Sequence, residues 1–541
     1  MSRLHLVPQP QSAQDRPGSY SLAADLGVDA PTAWAAIARR LLAPGTGLDL
    51  LPAKDGQLRI RVDAALPEEA YRLTVHEAGI EIAAASDRGV NWAVQTLRQL
   101  LPPDVLRPAP SGVALELPLV TITDQPRFGW RGVMLDVGRH FQPLHDLFGL
   151  VDLLALHKYN VLHLHLTDDQ GWRFESRRHP RLTQLGSWRS ETQKHFDEHG
   201  DGSPHGGFYT QDQLRSLATY ADQRGITVVP EIDLPGHALA LLSAYPEYGV
   251  HPEQGHRPAS GFGIFDDVLQ LSDATVAFVF DLYDELLDVF PSRYVHVGGD
   301  ETPRTQWLAS PVAHALAAER GLPSARHLQR WFTEQLRDFL AARGRQLVGW
   351  DEICDEGPLE GAVAMAWRGP EYGVAAAEAG LDVVMAPVTA TYFDYYPSDQ
   401  PEERYAIGGL TTTEHAYAFD PLDQMPPAAQ SRVLGTQCQL WTEYAPDMRR
   451  IEYLLFPRAC AHSELAWSAP AGRSFNEFGT RLSTHLGRLD ALGVNYRPEA
   501  GPHPWQQGGT KTLRRPDAHR PREDQAGVPR GLDHPEIPTD I

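Results

Sequence analysis

The sequence predicts a (β/α)8 barrel preceded by a small α+β domain. Two observations lead there. From Pro126 onward, short apolar runs alternate with amphipathic stretches, and the pair recurs eight times. Ahead of that array, residues 1–124 carry period-two runs with one helical stretch, the mark of a half-buried sheet backed by a helix.

In the first segment, Gln57–Val62 alternates apolar and polar residues. Gly89–Leu101 places Val90, Ala93, Val94, Leu97 and Leu101 three or four apart, which predicts a helix with one buried face. The Thr123-Asp-Gln-Pro126 turn closes this structural domain. Residues 125–497 then supply eight strand candidates: Gly132–Leu135, Asn160–Leu166, Ile226–Ile232, Tyr294–Val297, Gln346–Gly349, Val363–Ala366, Asp382–Met385 and Gly435–Leu440. Helices are expected between them at His145–His157, Gln211–Arg224, Ala274–Phe290 and His327–Ala342, and after the last strand at Asn476–Leu492. Strands alternating with helices need parallel pairing, and eight such units close a barrel. Residues 498–541 are rich in Pro, Gly, Arg and Asp, cannot bury much apolar surface, and read as an extended or disordered tail.

Composition narrows the class of partner. A net charge of −22 on 541 residues opposes a nucleic-acid or anionic-membrane partner. No run approaches the roughly 18 apolar residues of a membrane span. The segment Met1–Asp15 has no apolar run behind its Arg, and no secretory signal is expected, which implies a cytoplasmic location. The three cysteines, Cys354, Cys438 and Cys460, fit neither a metal motif nor a disulfide framework, and read as free thiols in apolar surroundings.

Barrel enzymes carry their chemistry where the strands end. Here those ends read Asp136 with Arg139, Asp168-Asp169, Glu231-Ile-Asp233 with His237, Asp300-Glu301, Trp350-Asp351-Glu352, Trp367-Arg368, Tyr392-Phe-Asp394, and Trp441-Thr-Glu443. Acids suit cleavage of a glycosidic bond. Trp and Tyr faces complement the C–H faces of a pyranose, so Trp350, Trp367 and Trp441 could wall one sugar pocket. Within His296-Val-Gly-Gly-Asp-Glu301, two glycines permit close approach to backbone or substrate. Adjacent acids on a regular strand point to opposite faces, so Asp300 and Glu301 are expected to address different parts of a substrate.

A metal-dependent hydrolase is the main alternative. His163 and His165, followed by Asp168 and Asp169, resemble the first ligands of a metal barrel, and His237 and His296 lie at later strand ends. Strands five, six and eight end in Trp where further ligands are needed, so neither metal nor other cofactor is expected. A sugar-binding barrel without catalysis is the second alternative, and the acid Glu301 argues against it.

The motifs Arg131-Gly-Val-Met-Leu-Asp136, Asn160 through Arg173, Val229-Pro-Glu-Ile-Asp-Leu-Pro-Gly-His237, His296–Glu301, Gly349-Trp-Asp-Glu-Ile353 and Leu440-Trp-Thr-Glu443 occur in one order. Together they resemble glycoside hydrolase family 20, the β-N-acetylhexosaminidases. Ser86-Asp-Arg-Gly89 with Gln95-Thr-Leu97 resembles the end of that family's N-terminal domain. The likeness spans residues 1 to about 497. It implies exo-acting, retaining removal of terminal β-linked GlcNAc or GalNAc from a small oligosaccharide or glycoconjugate. The substrate's own 2-acetamido oxygen would serve as nucleophile, a known exception to the two-carboxylate scheme.

By the same resemblance, Glu301 is the general acid and then base, its pKa raised by its neighbour. Asp300 orients and stabilises the acetamido group. Arg139 and Glu443 bind sugar hydroxyls, Tyr392 donates to the acetamido oxygen, and Asp394 faces the leaving-group side. Asp168 and His237 support Glu301, and the three tryptophans enclose the ring and the methyl. Gly409–Pro421 carries His415 and Tyr417 but no Trp, where some family members place one near the leaving-group subsite.

Overall fold

The computed structural model describes residues 4–193 and 200–508. Its first unit is a six-stranded sheet in the order Ser12–Ser21, Glu116–Asp124, Tyr71–His76, Gly79–Ala84, Leu58–Val62 and Val28–Asp29. One helix on it spans Asp87–Leu100, beginning where the Ser86 side chain accepts from the Gly89 N–H. It buries Val90, Ala93, Val94 and Leu97, the stripe its spacing predicts. A second helix, Thr32–Thr46, lies outside the sequence reading although Trp34, Ile37, Ala38, Leu41 and Leu42 carry the same spacing. Pro44 and Gly45 in its last turn interrupt the pattern, and Gly47 ends it with φ +72°.

The second unit is a closed barrel of eight parallel strands: Trp130–Asp136, Val161–His165, Thr227–Glu231, Tyr294–His296, Gln346–Trp350, Val363–Ala366, Asp382–Met385 and Val433–Leu440. Each pairs with its sequence neighbours, and the last closes on the first from Gly435↔Trp130 to Leu440↔Leu135. All eight expected strands are present within a few residues of their predicted limits. Helices Leu144–Leu156, Gln211–Asp222, Asp273–Val289 and Leu328–Ala341 occupy the predicted connections.

The connection after strand eight differs from expectation. Two helices, Met448–Leu455 and Arg458–Trp467, precede the predicted one, which spans Phe475–Leu492. Every residue of Arg458–Trp467 is buried, polar ones included, so it shows no amphipathic stripe. Its polar groups are paired instead: Glu464 takes both Nη atoms of Arg481 at 2.6 Å, and His462 meets Tyr159 Oη at 3.0 Å and Thr436 Oγ1 at 3.1 Å.

The two units share buried charge pairs. Lys158 Nζ donates to Asp124 Oδ2 at 2.8 Å, and Arg131 pairs with Glu69 while stacking against Trp467. Cys438 and Cys460 are buried free thiols, whereas Cys354 is only partly covered. Of the predicted tail, the described part folds back: Gln506 donates to Asn495 Oδ1 and to the Tyr496 carbonyl, each at 3.0 Å. Residues 509–541 lie outside the described residues. Among the described residues, no helix is long and apolar enough to cross a membrane.

Candidate active site

The predicted residues converge where the barrel strands end. Strand four stops at His296, and the chain then turns sharply, with positive φ at Gly298 (+68°), Gly299 (+95°) and Glu301 (+45°). A Cβ on Gly298 would fall 1.7 Å from Asp233 Oδ1, so no other residue fits there. Left-handed backbone at a glutamate is uncommon, and such strain gathers where a side chain must be aimed. This turn sends the two acids apart. Asp300 is buried against Asp233, while the Glu301 side chain keeps 30% of its surface exposed.

Asp233 is a further buried carboxyl here that the motif assignment left out. Its Oδ1 accepts from the Gly299 N–H at 2.9 Å. Burial, followed by the charge of Asp233, raises the Asp300 pKa well above the carboxylate range. Burial likewise pushes Asp233 up to about 7, although His237 acts in the opposite direction. Two carboxyls this close cannot both ionise cheaply, and one proton between them satisfies both. The spacing Glu231-Ile-Asp233 was the available signal, because residues two apart near a strand end face the same way.

This shift has a consequence for stability. The folded protein binds the Asp233 proton more tightly than the unfolded chain, whose aspartate titrates near about 3.9. The stabilisation is complete below that value and is lost as pH rises through about 7. Asp233→Asn, which never ionises, should therefore lose less Tm than wild type between pH 5 and 8. Parallel Tm profiles for the two proteins would contradict the shift.

His237 also has φ +45°, and its Nε2 lies 3.6 Å from Glu301 Oε2 and 3.9 Å from Asp300 Oδ2. The expected Asp168–His237 contact is present, and Asp169 joins it. His237 Nδ1 bonds Asp169 Oδ2 at 2.9 Å, with Asp168 Oδ1 farther away at 3.4 Å. The other oxygen of Asp168, Oδ2, lies 2.8 Å from His165 Nε2 and 2.9 Å from Arg139 Nη1. Burial alone would raise the Asp168 pKa, but Arg139 and His237 outweigh it and keep the group ionised.

Beneath this layer Glu231 is surrounded by polar groups from three strands. Its Oε2 is 2.5 Å from His165 Nδ1, and its Oε1 is 2.9 Å from both His296 Nδ1 and Trp350 Nε1. His163 lies 3.0 Å from Oε2. The strand-two histidines thus act as partners of a buried glutamate, the interior-packing role that competes with metal ligation.

The far end of the site is built from Arg139, Asp394 and Glu443. Burial works against the Arg139 charge, but Asp168, Asp136 and Glu443 hold its pKa well above the ordinary value. Its guanidinium lies 4.7 Å from the Trp441 ring centre. Burial pushes Glu443 up to about 7, against the pull of Arg139. Burial and then Glu443 raise Asp394. Asp394 therefore lies within reach of the Glu443 charge.

Aromatic rings join the two ends. Trp350 and Trp441 are 5.7 Å apart between ring centres, Trp441 and Tyr392 6.5 Å, and Tyr392 stacks on Trp367 at 6.2 Å. Trp367 Nε1 donates at 2.9 Å to Glu352, a strand-end acid to which the family resemblance assigned no role. Tyr417 points elsewhere and donates to Glu464 at 3.1 Å within the core. Among the described residues, several buried polar atoms without a protein hydrogen bond lie here: His237 Nε2, Asp300 Oδ1, Asp394 Oδ1 and Glu443 Oε2. Convergent unpaired polar groups beside apolar rings suit a ligand with many hydroxyls.

Comparison with known proteins agrees with this geometry. Residues 128–470 match the catalytic domain of glycosyl hydrolase family 20, and residues 3–125 match domain 2 of that family. A β-hexosaminidase of Porphyromonas gingivalis is 41% identical over 456 residues, covering 83% of this chain; the chain spans 57% of that relative's length. The solved family 20 exo β-N-acetylglucosaminidase of Vibrio harveyi, in complex with N-acetylglucosamine, superposes with a TM-score of 0.82 at 32% identity, over 92% of this chain and 78% of that one. The N-acetyl-β-hexosaminidase of Streptomyces plicatus gives 0.81 at 30% identity, over 92% and 97% of the two chains.

Proposed function

The chain belongs to glycosyl hydrolase family 20, and we propose that it is an exo-acting, retaining β-N-acetylhexosaminidase working by substrate assistance. The observation that carries this reading is the divergence of Asp300 and Glu301 at the Gly298–Gly299 turn. One acid is buried beside Asp233, and the other is held near His237 with an exposed edge.

Glu301 donates its proton to the glycosidic oxygen as the C1–O bond breaks. The acetamido oxygen forms the new bond to C1, held by Tyr392, while Asp300 accepts the acetamido N–H. In that complex the shared proton resides on Asp233, leaving Asp300 ionised against the positive charge that develops on the ring nitrogen. Glu301, now a carboxylate, takes a proton from water as the water oxygen attacks C1 and releases the acetamido group. Configuration is retained by two inversions. Arg139, Asp394 and Glu443 bind the hydroxyls of the terminal sugar and close that end of the pocket, which favours removal of one residue at a time.

A series of aryl glycosides with mono-, di- and trifluoroacetamido groups tests the nucleophile. Each fluorine weakens the acyl oxygen, so kcat/KM should fall steeply along the series. A flat series, or comparable hydrolysis of the 2-hydroxy glucoside, would overturn the reading.

A further inference from the structure

Two buried arginines outside the pocket act on the segment that carries Arg139. Val137, Gly138 and Arg139 follow the end of strand one, and their three consecutive carbonyls all accept from guanidinium groups. Arg173 Nε donates to the Val137 carbonyl at 2.9 Å and its Nη2 to that of Gly138 at 2.7 Å. Arg189 Nη1 donates to the Arg139 carbonyl at 2.6 Å. The N–H side is filled as well. Val137 N–H donates to the His165 carbonyl at 3.1 Å, and Asp136 Oδ1 accepts from Gly138 and Arg139 at 2.8 and 3.0 Å. Each backbone polar group of the segment therefore has a fixed partner, and four of the six bonds reach side chains of Asp136 or Arg173, or, with Arg189, five.

The arginines are themselves anchored. Arg173 Nη1 donates to the Ser187 and Gly207 carbonyls at 2.7 and 3.0 Å, and Arg189 bonds Thr192 Oγ1 through Nε and Nη2 at 3.0 and 2.8 Å. A Cβ on Gly171 would lie 2.1 Å from Arg173 Nη2, so that glycine makes room for the guanidinium. Burial lowers both arginines, to about 9 and about 10, and both remain charged at neutral pH. Burying two cations against carbonyls is costly, and a planar fork that fixes adjacent carbonyls is what the guanidinium supplies and an ammonium does not.

We propose that Arg173 and Arg189 are positioning residues that hold the Val137–Arg139 backbone so that the Arg139 side chain meets the sugar between Asp168 and Trp441. This rests on the assignment of Arg139 to substrate binding. With the carbonyl clamp gone, the Asp136 bonds still tie the segment at one side but leave its other face free to shift. A shift of that kind weakens binding of the sugar more than the chemistry at C1.

The test is a double-mutant cycle on the full chain with an aryl N-acetylglucosaminide. Arg189→Met should raise KM about tenfold, with a smaller change in kcat. In an Arg139→Met background the same substitution should change KM less than about twofold, because the group it positions is already absent. Arg189→Lys, which keeps one donor, should recover part of the lost affinity. Equal effects of Arg189→Met in both backgrounds would mean a general structural role and overturn the proposal. Should Arg189→Met not fold, Thr192→Val removes only the anchor of Arg189, and the same non-additivity with Arg139→Met is expected; additive effects overturn the proposal. If Arg139→Met alone leaves KM at the wild-type value, the assignment of Arg139 fails, and the proposal with it. A normal KM in Arg189→Met beside an impaired Arg139→Met removes the proposal alone.

Discussion

Glu301→Gln is expected to lower kcat about 10²–10⁴-fold on substrates with poor leaving groups, such as GlcNAc oligosaccharides. On activated aryl glycosides, whose leaving oxygen needs little protonation, the loss should be much smaller. The amide keeps the size of the side chain and its place near His237, so folding and KM should change little. Equal losses on both substrate classes would sink the assignment of the acid.

Asp300→Asn is expected to lower kcat/KM about 10²–10³-fold on 2-acetamido substrates. The amide can still occupy the space beside Asp233 but cannot place a full negative charge against the acetamido nitrogen. Since the substitution removes one carboxyl from a buried pair, folding should not suffer. Above neutral pH the variant should melt no lower than wild type, because Asp300 itself binds its proton more tightly in the folded protein and opposes folding where it must ionise. Wild-type hydrolysis by this variant would remove Asp300 from the mechanism. Loss of activity together with loss of the folded state would assign it a structural role instead.

Much of the site was legible in one dimension because barrel geometry sends every strand end to the same rim. Asp300, Glu301, Trp350, Trp367, Trp441 and Glu443 could be named by asking which residues follow each apolar run. Partners were harder to read. Asp168 and Asp169 are adjacent and chemically alike, and only the fold shows that both face His237, Asp169 the nearer, while Asp168 also meets Arg139 and His165. Asp394 follows strand seven, and nothing in its neighbours along the chain indicates that it lies with Glu443. Helix Arg458–Trp467 escaped because it is buried all round, and its polar residues find partners far away in sequence.

What the sequence determined by itself was the order of elements, the closed barrel and the identity of the acids and rings at its mouth. Those depend on local periodicity and on strand ends, which chain geometry makes short-range properties. The tertiary structure decided which carboxyls are buried beside one another, how the Gly298–Gly299 turn separates Asp300 from Glu301, and which arginines bond the backbone of Arg139. These depend on contacts between elements tens or hundreds of residues apart, where a few tenths of an ångström decide which donor reaches which acceptor.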